Sequence, residues 1–108
     1  MNYYLFIITV GNFDEGKKIA RILVEEKLAA CVNIIPNIFS IYQWKGKIEE
    51  DEEHILLLKT TENKSDLLIQ KIQEIHTYEN PECIGFKIEK GSKKYLDWID
   101  EVINKEIV

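Results

Sequence analysis

Cysteine, proline and methionine are scarce, at two, two and one in 108 residues. The scarcity excludes several classes of protein. Cys31 and Cys83 stand far apart with no CxxC pair, which rules out a structural zinc knuckle and argues against a disulfide framework. Positive charge is also in deficit, with 14 Lys+Arg against 19 Asp+Glu and a net charge of -5. A nucleic-acid partner, which demands a basic face, is therefore not expected. No apolar run approaches the length of a bilayer. The opening MNYYLFIITV has no basic n-region and no small-residue cleavage site, so it reads as a strand of a cytoplasmic protein without a membrane partner. Linkers, repeats and low-complexity segments are lacking too, and a single domain over 1–108 is expected. Gly11 to Gly16 has two glycines but no following Lys-Ser/Thr, so it is no phosphate loop. With two histidines and no nucleophile pattern, no enzyme activity is expected.

What is present is a soluble, core-forming composition, 45% apolar and 31% charged. Tyr3 to Val10 is a nearly continuous β-favouring run, as in a covered strand. Asp14 to about Leu28 repeats apolar Ile19, Ile22 and Leu23 at helical spacing. AACVNIIPNIFSIYQW is rich in β-branched and aromatic residues, and Pro36 demands a bend, bulge or edge position within it. Trp44-Lys45-Gly46-Lys47 turns the chain, and Ile48 to Thr61 returns as a second long strand. A helix from near Asn63, with Asp66 in its first turn, presents Leu68, Ile72 and Ile75. Glu82 to Glu89 is a strand. After an N-cap at Ser92, the residues Tyr95, Trp98, Ile99, Val102 and Ile103 mark the last helix.

The order β-α-β-β-α-β plus a terminal helix predicts an α+β, ferredoxin-like fold: two helices on one face of a four-stranded antiparallel sheet. Length adds a constraint. A strand from Cys31 to Trp44 reaches roughly 45 Å, while the first helix spans only about 22 Å. The hairpin then overhangs its own core by roughly 20 Å, exposing Phe39, Ile41, Tyr42 and Trp44. Such a hairpin is marginal alone and calls for a partner subunit.

Cys31-Val32-Asn33-Ile34 with Pro36, Tyr42-x-Trp44-x-Gly46-Lys47-Ile48 and Lys59-Thr60 together resemble the CutA1 divalent-cation tolerance proteins. His76-x-Tyr78-Glu79-x-Pro81-Glu82 and Tyr95-Leu96-x-Trp98-Ile99 continue the match over nearly the whole chain. The resemblance implies a cytoplasmic homotrimer whose edge strands and hairpins pair between neighbours. It also implies a link to tolerance of copper and other divalent metals, and a likeness to the trimeric PII signalling proteins. This chain departs from the family pattern at Thr77, where proline is usual, at Asn80, where a β-branched residue is usual, and at Cys83, where an aliphatic one is usual.

Candidate ligands concentrate in HTYENPE, His76 to Glu82. Imidazole suits Cu(II) and Zn(II), and Glu79 lies three residues on. Asn80-Pro81 stops a helix, however, so the first reading of the stretch is a helix-to-strand joint and the second is a metal site. Cys31 offers a soft thiol ligand, but it follows the first helix whereas His76 follows the second. The topology puts these at opposite rims of the sheet, so Cys31 and His76 share an ion only between chains. Cys83, just past the joint, is the nearer thiol for His76, although a buried strand residue is its ordinary role. Glu49 to His54 reads as a solvated hairpin shoulder that blocks edge pairing. Trp44, Lys59, Tyr78 and Glu82 are the candidates for an intersubunit cleft that binds a small molecule or protein, as in a PII-like sensor.

Overall fold

The computed structural model describes residues 1–105. The elements are β1 (Tyr3–Val10), α1 (Phe13–Glu25), β2 (Cys31–Trp44), β3 (Lys47–Thr61), α2 (Ser65–Ile75), β4 (Cys83–Ile88) and α3 (Lys93–Asn104). One antiparallel sheet runs in the order β2-β3-β1-β4, the ferredoxin-like arrangement that the element order predicts. Alternate residues of a strand point to opposite faces. Phe6, Ile8 and Val10 of β1 and Leu56 and Leu58 of β3 are therefore buried together, under Ile19 and Leu23 of α1 and Leu68 and Ile72 of α2. Among the described residues, the opposite face is covered at one end only, where Ile99 and Ile103 of α3 pack on Tyr3.

Helix boundaries follow backbone chemistry. Asn12 caps α1 by accepting from the Glu15 amide, and Ser92 caps α3 by accepting from the Tyr95 amide. The first helix stops at Glu25 rather than at Leu28, because Lys27 turns into the left-handed region (φ 57°). The amides of Leu28 and Ala29 then close back on the Leu23 carbonyl. A 3-10 turn over Glu62–Lys64 precedes α2, so the α-helix proper begins two residues later than expected.

The hairpin overhangs as its length requires. Pairing with β1 ends at Val10 opposite His54, and from Glu53 to Lys47 β3 pairs with β2 alone. Seven positions at ~3.3 Å make an overhang of about 23 Å. The molecule measures 49 × 27 × 23 Å, elongated as an overhanging hairpin demands. At the root of the hairpin the register slips between Ile35 and Ile38. Pro36 has no amide to give the ladder and Asn37 is left-handed (φ 61°), so Pro36 sits in a bulge on an edge strand. At the tip, Lys45 (φ 51°) and Gly46 (φ 80°) form the two-residue turn, which matches strand twist.

Candidate functional site

The underside of the hairpin faces the joint between α2 and β4 across a cleft of about 1040 Å³. Its outer wall carries Tyr42, Trp44 and Asp51, and its inner wall carries Glu53, Tyr78, Glu79 and Glu82. The joint is built by the end of α2. His76 leaves the helix for extended backbone (ψ 143°), and its own amide makes the last helical bond to the Ile72 carbonyl. The ring then stays inside the protein, 8% exposed. Its Nδ1 accepts from the Tyr78 amide at 3.0 Å, which leaves the proton on Nε2, donated to the Thr9 carbonyl at 2.7 Å. Both imidazole nitrogens are thus committed to holding the joint against β1.

That bond pattern throws Tyr78 across the rim of the sheet. The Tyr78 hydroxyl donates to Glu53 Oε2 at 2.8 Å, and the tyrosine ring packs against His76 at a tilt of 49° with centroids 4.7 Å apart. Glycine at position 11 leaves room for this approach; a Cβ there would stand 3.0 Å from the Tyr78 oxygen and crowd it. Burial, then the bond to Glu53, holds the Tyr78 phenol above its ordinary range. On the opposite wall the Tyr42 hydroxyl donates to Asp51, and that bond pushes the Tyr42 phenol up to about 12. Both phenols therefore remain donors at neutral pH, facing carboxylate acceptors. Lys45 reaches over from the tip, 3.9 Å from Glu79 and 5.5 Å above the Trp44 ring. Both partners of that ion pair are solvated, so it contributes little.

The sequence candidates separate into three places. Glu79, Glu82, Tyr78 and Trp44 line the cleft, and His76 buttresses it from behind. Cys83 sits opposite Ile8 and packs into the helix-covered core; burial pushes its thiol up to about 11. Cys31 and Lys59 face each other at the far end of the sheet, with Sγ 4.0 Å from the ammonium, and Asn33 is bonded to Lys59 beside them. Within the subunit, Lys59 is thus remote from Trp44 and Tyr78. His76 lies by Thr9 at one end of β1, while Cys31 lies beside Lys59, opposite Leu5, so the two occupy opposite rims as the topology requires. Among the described residues, no three His, Cys, Asp or Glu side chains converge as a metal cage. The four candidates His76, Cys31, Cys83 and Glu79 do not fit together as one ligand set in a single chain.

One expectation is corrected here. The run from Glu49 to His54 is not uniformly a solvated shoulder: Glu53 is 6% exposed and His54 accepts a backbone bond. A sequence of six polar residues hides this, since a carboxylate is buried only when a distant partner, here Tyr78, reaches it. Alternation puts Glu53 on the face of Ile55 and Leu57, away from the helix-covered core, so no pattern within the strand signals its burial.

The fold and cleft define a class of protein: an α+β ferredoxin-like subunit with an overhanging hairpin and an acidic, aromatic cleft at its root. A family model, the CutA1 divalent ion tolerance protein, matches residues 4–102. The chain is 44% identical over 95 residues to the divalent-cation tolerance protein CutA of Thermus thermophilus, covering 88% of this chain and 92% of that one. It is 48% identical over 96 residues to a CutA homologue of Xenopus laevis, covering 89% of this chain and 64% of that longer protein. The crystal structure of CutA1 from Oryza sativa superposes with a TM-score of 0.93 at 39% identity, covering 98% of this chain and 97% of that one. The chain belongs to the CutA1 divalent ion tolerance family. It spans from half to about two thirds of the length of several curated relatives that it matches.

Proposed function

We propose that this protein acts in divalent-cation tolerance, copper first, as a cytoplasmic homotrimer without a catalytic step of its own. The observation that carries the cation reading is the cleft, whose walls hold carboxylates with phenolic and indole rings beside them. Carboxylates attract hard and borderline divalent ions, and a concave acidic wall concentrates them. Glu79 and Glu82, on the inner wall, are the residues we assign to the ion, with the rest of the coordination supplied by water or a neighbouring chain. His76 serves by fixing the joint that presents them.

Support for the trimer comes from the uncovered face of the sheet. Leu5, Ile7, Leu57, Ile84 and Phe86 share that face, and Phe86 is 52% exposed. Phe39, Ile41 and Ile48 are likewise exposed on the hairpin, with Ile48 at 72%. An apolar surface of this kind marks a protein interface. Among the described residues no helix is long and apolar enough to cross a membrane. One relative with a solved structure is a periplasmic divalent cation tolerance protein CutA from Archaeoglobus fulgidus, and cell fractionation tests the cytoplasmic reading against that alternative.

The test is a chelator-competition titration with Cu(II) and Zn(II) on metal-stripped protein. Glu79→Gln with Glu82→Gln should weaken uptake at least about tenfold, with circular dichroism unchanged. His76→Ala should lower stability while leaving the number of bound ions per chain the same. Unchanged binding in the double variant refutes the assignment. A second reading, a ligand-sensing module, is favoured by Trp44, Tyr42 and Tyr78 in the cleft walls; it predicts thermal stabilisation by a metabolite in the absence of metal.

A further inference from the structure

We propose that the cleft binds a linear organic polyammonium ion, laid along the underside of the hairpin from Glu53 at the root to Trp44 near the tip. The inference rests on the ligand-sensing reading of the cleft and is independent of the metal assignment at Glu79 and Glu82. Side chains two apart on a strand share a face, and register carries that face across the hairpin. Glu53 and Asp51 of β3 therefore stand in one row with Tyr42 and Trp44 of β2, which lie opposite Glu49 and Lys47. From Glu53 to the Trp44 rung is six positions, about 20 Å at ~3.3 Å each. All four residues line the cleft, with Tyr78 and Glu79 across from them, and among the described residues no lysine or arginine is in its lining. A row this long outruns a single metal ion, and an indole offers a metal no lone pair.

The carboxylates are oriented and half used. Glu53 is 6% exposed, yet only its Oε2 is engaged, by the Tyr78 hydroxyl at 2.8 Å. Its Oε1 has no hydrogen-bond or ion-pair partner among the described residues and is not sealed from the cleft. A buried carboxylate with a free oxygen is costly, and a donor that reaches it relieves the cost. Asp51 repeats the pattern, since the Tyr42 hydroxyl engages Oδ2 and leaves Oδ1 open. A ligand for this pair must donate, carry positive charge and repeat its charges along a chain. Ammonium groups joined by methylene segments meet all three demands, with the methylenes lying on Tyr42 and Trp44.

The far end already shows this chemistry within the chain. The Lys45 ammonium lies 5.5 Å above the Trp44 ring, with Glu79 3.9 Å away. An alkylammonium between an indole face and a carboxylate is the contact a ligand terminus would make. Lys45 holds that place loosely, because both partners of its ion pair are solvated, and a ligand terminus displaces it. Both walls come from one chain, so each subunit carries a site, and packing of the hairpin against a neighbour steadies the outer wall.

The experiment titrates the assembled, metal-stripped protein with spermine, a linear tetraamine, at about 0.1 M salt so that diffuse attraction is screened. Calorimetry counts the sites, and Trp98→Phe leaves Trp44 as the only tryptophan, so that its emission reports the cleft. One spermine should bind per subunit and change that emission. Glu53→Gln and Asp51→Asn should each weaken binding about tenfold, the loss of one charge-assisted hydrogen bond. Trp44→Ala should weaken it about threefold or more. Lys45→Met should tighten it, whereas Lys18→Met, on the exposed face of α1, should not. The short diamine 1,4-diaminobutane, which cannot span the row, should bind about tenfold more weakly than spermine. No binding of spermine, an affinity unchanged in both carboxylate variants, or equal tightening by Lys18→Met overturns the proposal. Thermal stabilisation by ATP but not by spermine overturns it and leaves the ligand-sensing reading standing; stabilisation by neither overturns both. Should Glu53→Gln not fold, Asp51→Asn, at a solvated position, decides by itself.

Discussion

The same strand behaves differently at its two ends. From Ile55 to Lys59, β3 lies between β1 and β2 and buries Leu56 and Leu58 completely. From Lys47 to Glu52 it pairs with β2 alone, and none of those residues is buried. Composition differs, KIEEDE against ILLLK, yet both halves pair with β2. What separates them is the third strand and the helices, which cover one half and not the other. The body therefore supplies the stability of the fold, and the hairpin supplies surface for other molecules.

Mutations in matched pairs sharpen that contrast. Leu58→Ala, in the body, should cost about 2–5 kcal/mol in denaturant unfolding at any protein concentration. Ile48→Ala, in the hairpin, should act only through association, so that any loss of stability disappears on dilution. An Ile48→Ala loss that persists in the dilute monomer breaks the comparison. The two phenol–carboxylate pairs offer a finer test. Tyr78→Phe strands the buried Glu53 carboxylate and should cost about 1–3 kcal/mol, whereas Tyr42→Phe frees a solvated Asp51 and should leave the unfolding curve in place.

The smallest effect concerns the cysteines. Burial, and then the charge of Glu82, raise the folded Cys83 thiol to about 11, above its ordinary value near 9. Between these values the folded state holds the proton more tightly than the unfolded one. The stability contributed by Cys83 is thus fully present below about pH 9 and is lost as pH rises through about 11. Cys83→Ser or Cys83→Ala should flatten that part of the alkaline stability profile, measured by urea midpoints across pH. Iodoacetamide at pH 8 should label Cys31 before Cys83, read by peptide mass mapping.

The element order, the overhang and the bulge at Pro36 were legible in the sequence because each follows from a short-range rule. Period-2 and period-3.6 patterns place the strands and helices, strand length against helix length places the hairpin, and a proline in a strand demands an irregularity. The site was legible only as a location. HTYENPE is where the cleft's inner wall stands, but the roles of its residues depend on long-range partners that no spacing encodes. His76 looks like a ligand until Thr9 and the Tyr78 amide take both its nitrogens. Glu53 looks like one of many solvated acids until Tyr78 arrives across Gly11. Lys59, grouped by chemistry with Trp44 and Tyr78 in a cleft between subunits, lies beside Cys31 within its own chain.

The division between a self-sufficient body and surfaces that work between copies is tested most directly by light scattering across a dilution series, wild type beside Phe86→Asp. The account predicts a wild-type mass of three times 12.7 kDa that persists on dilution. Phe86→Asp, which puts a charge on the edge strand of the uncovered sheet face, should give a folded monomer with unchanged circular dichroism. A wild-type protein that is monomeric at every concentration, or a Phe86→Asp variant that assembles as the wild type does, would contradict it.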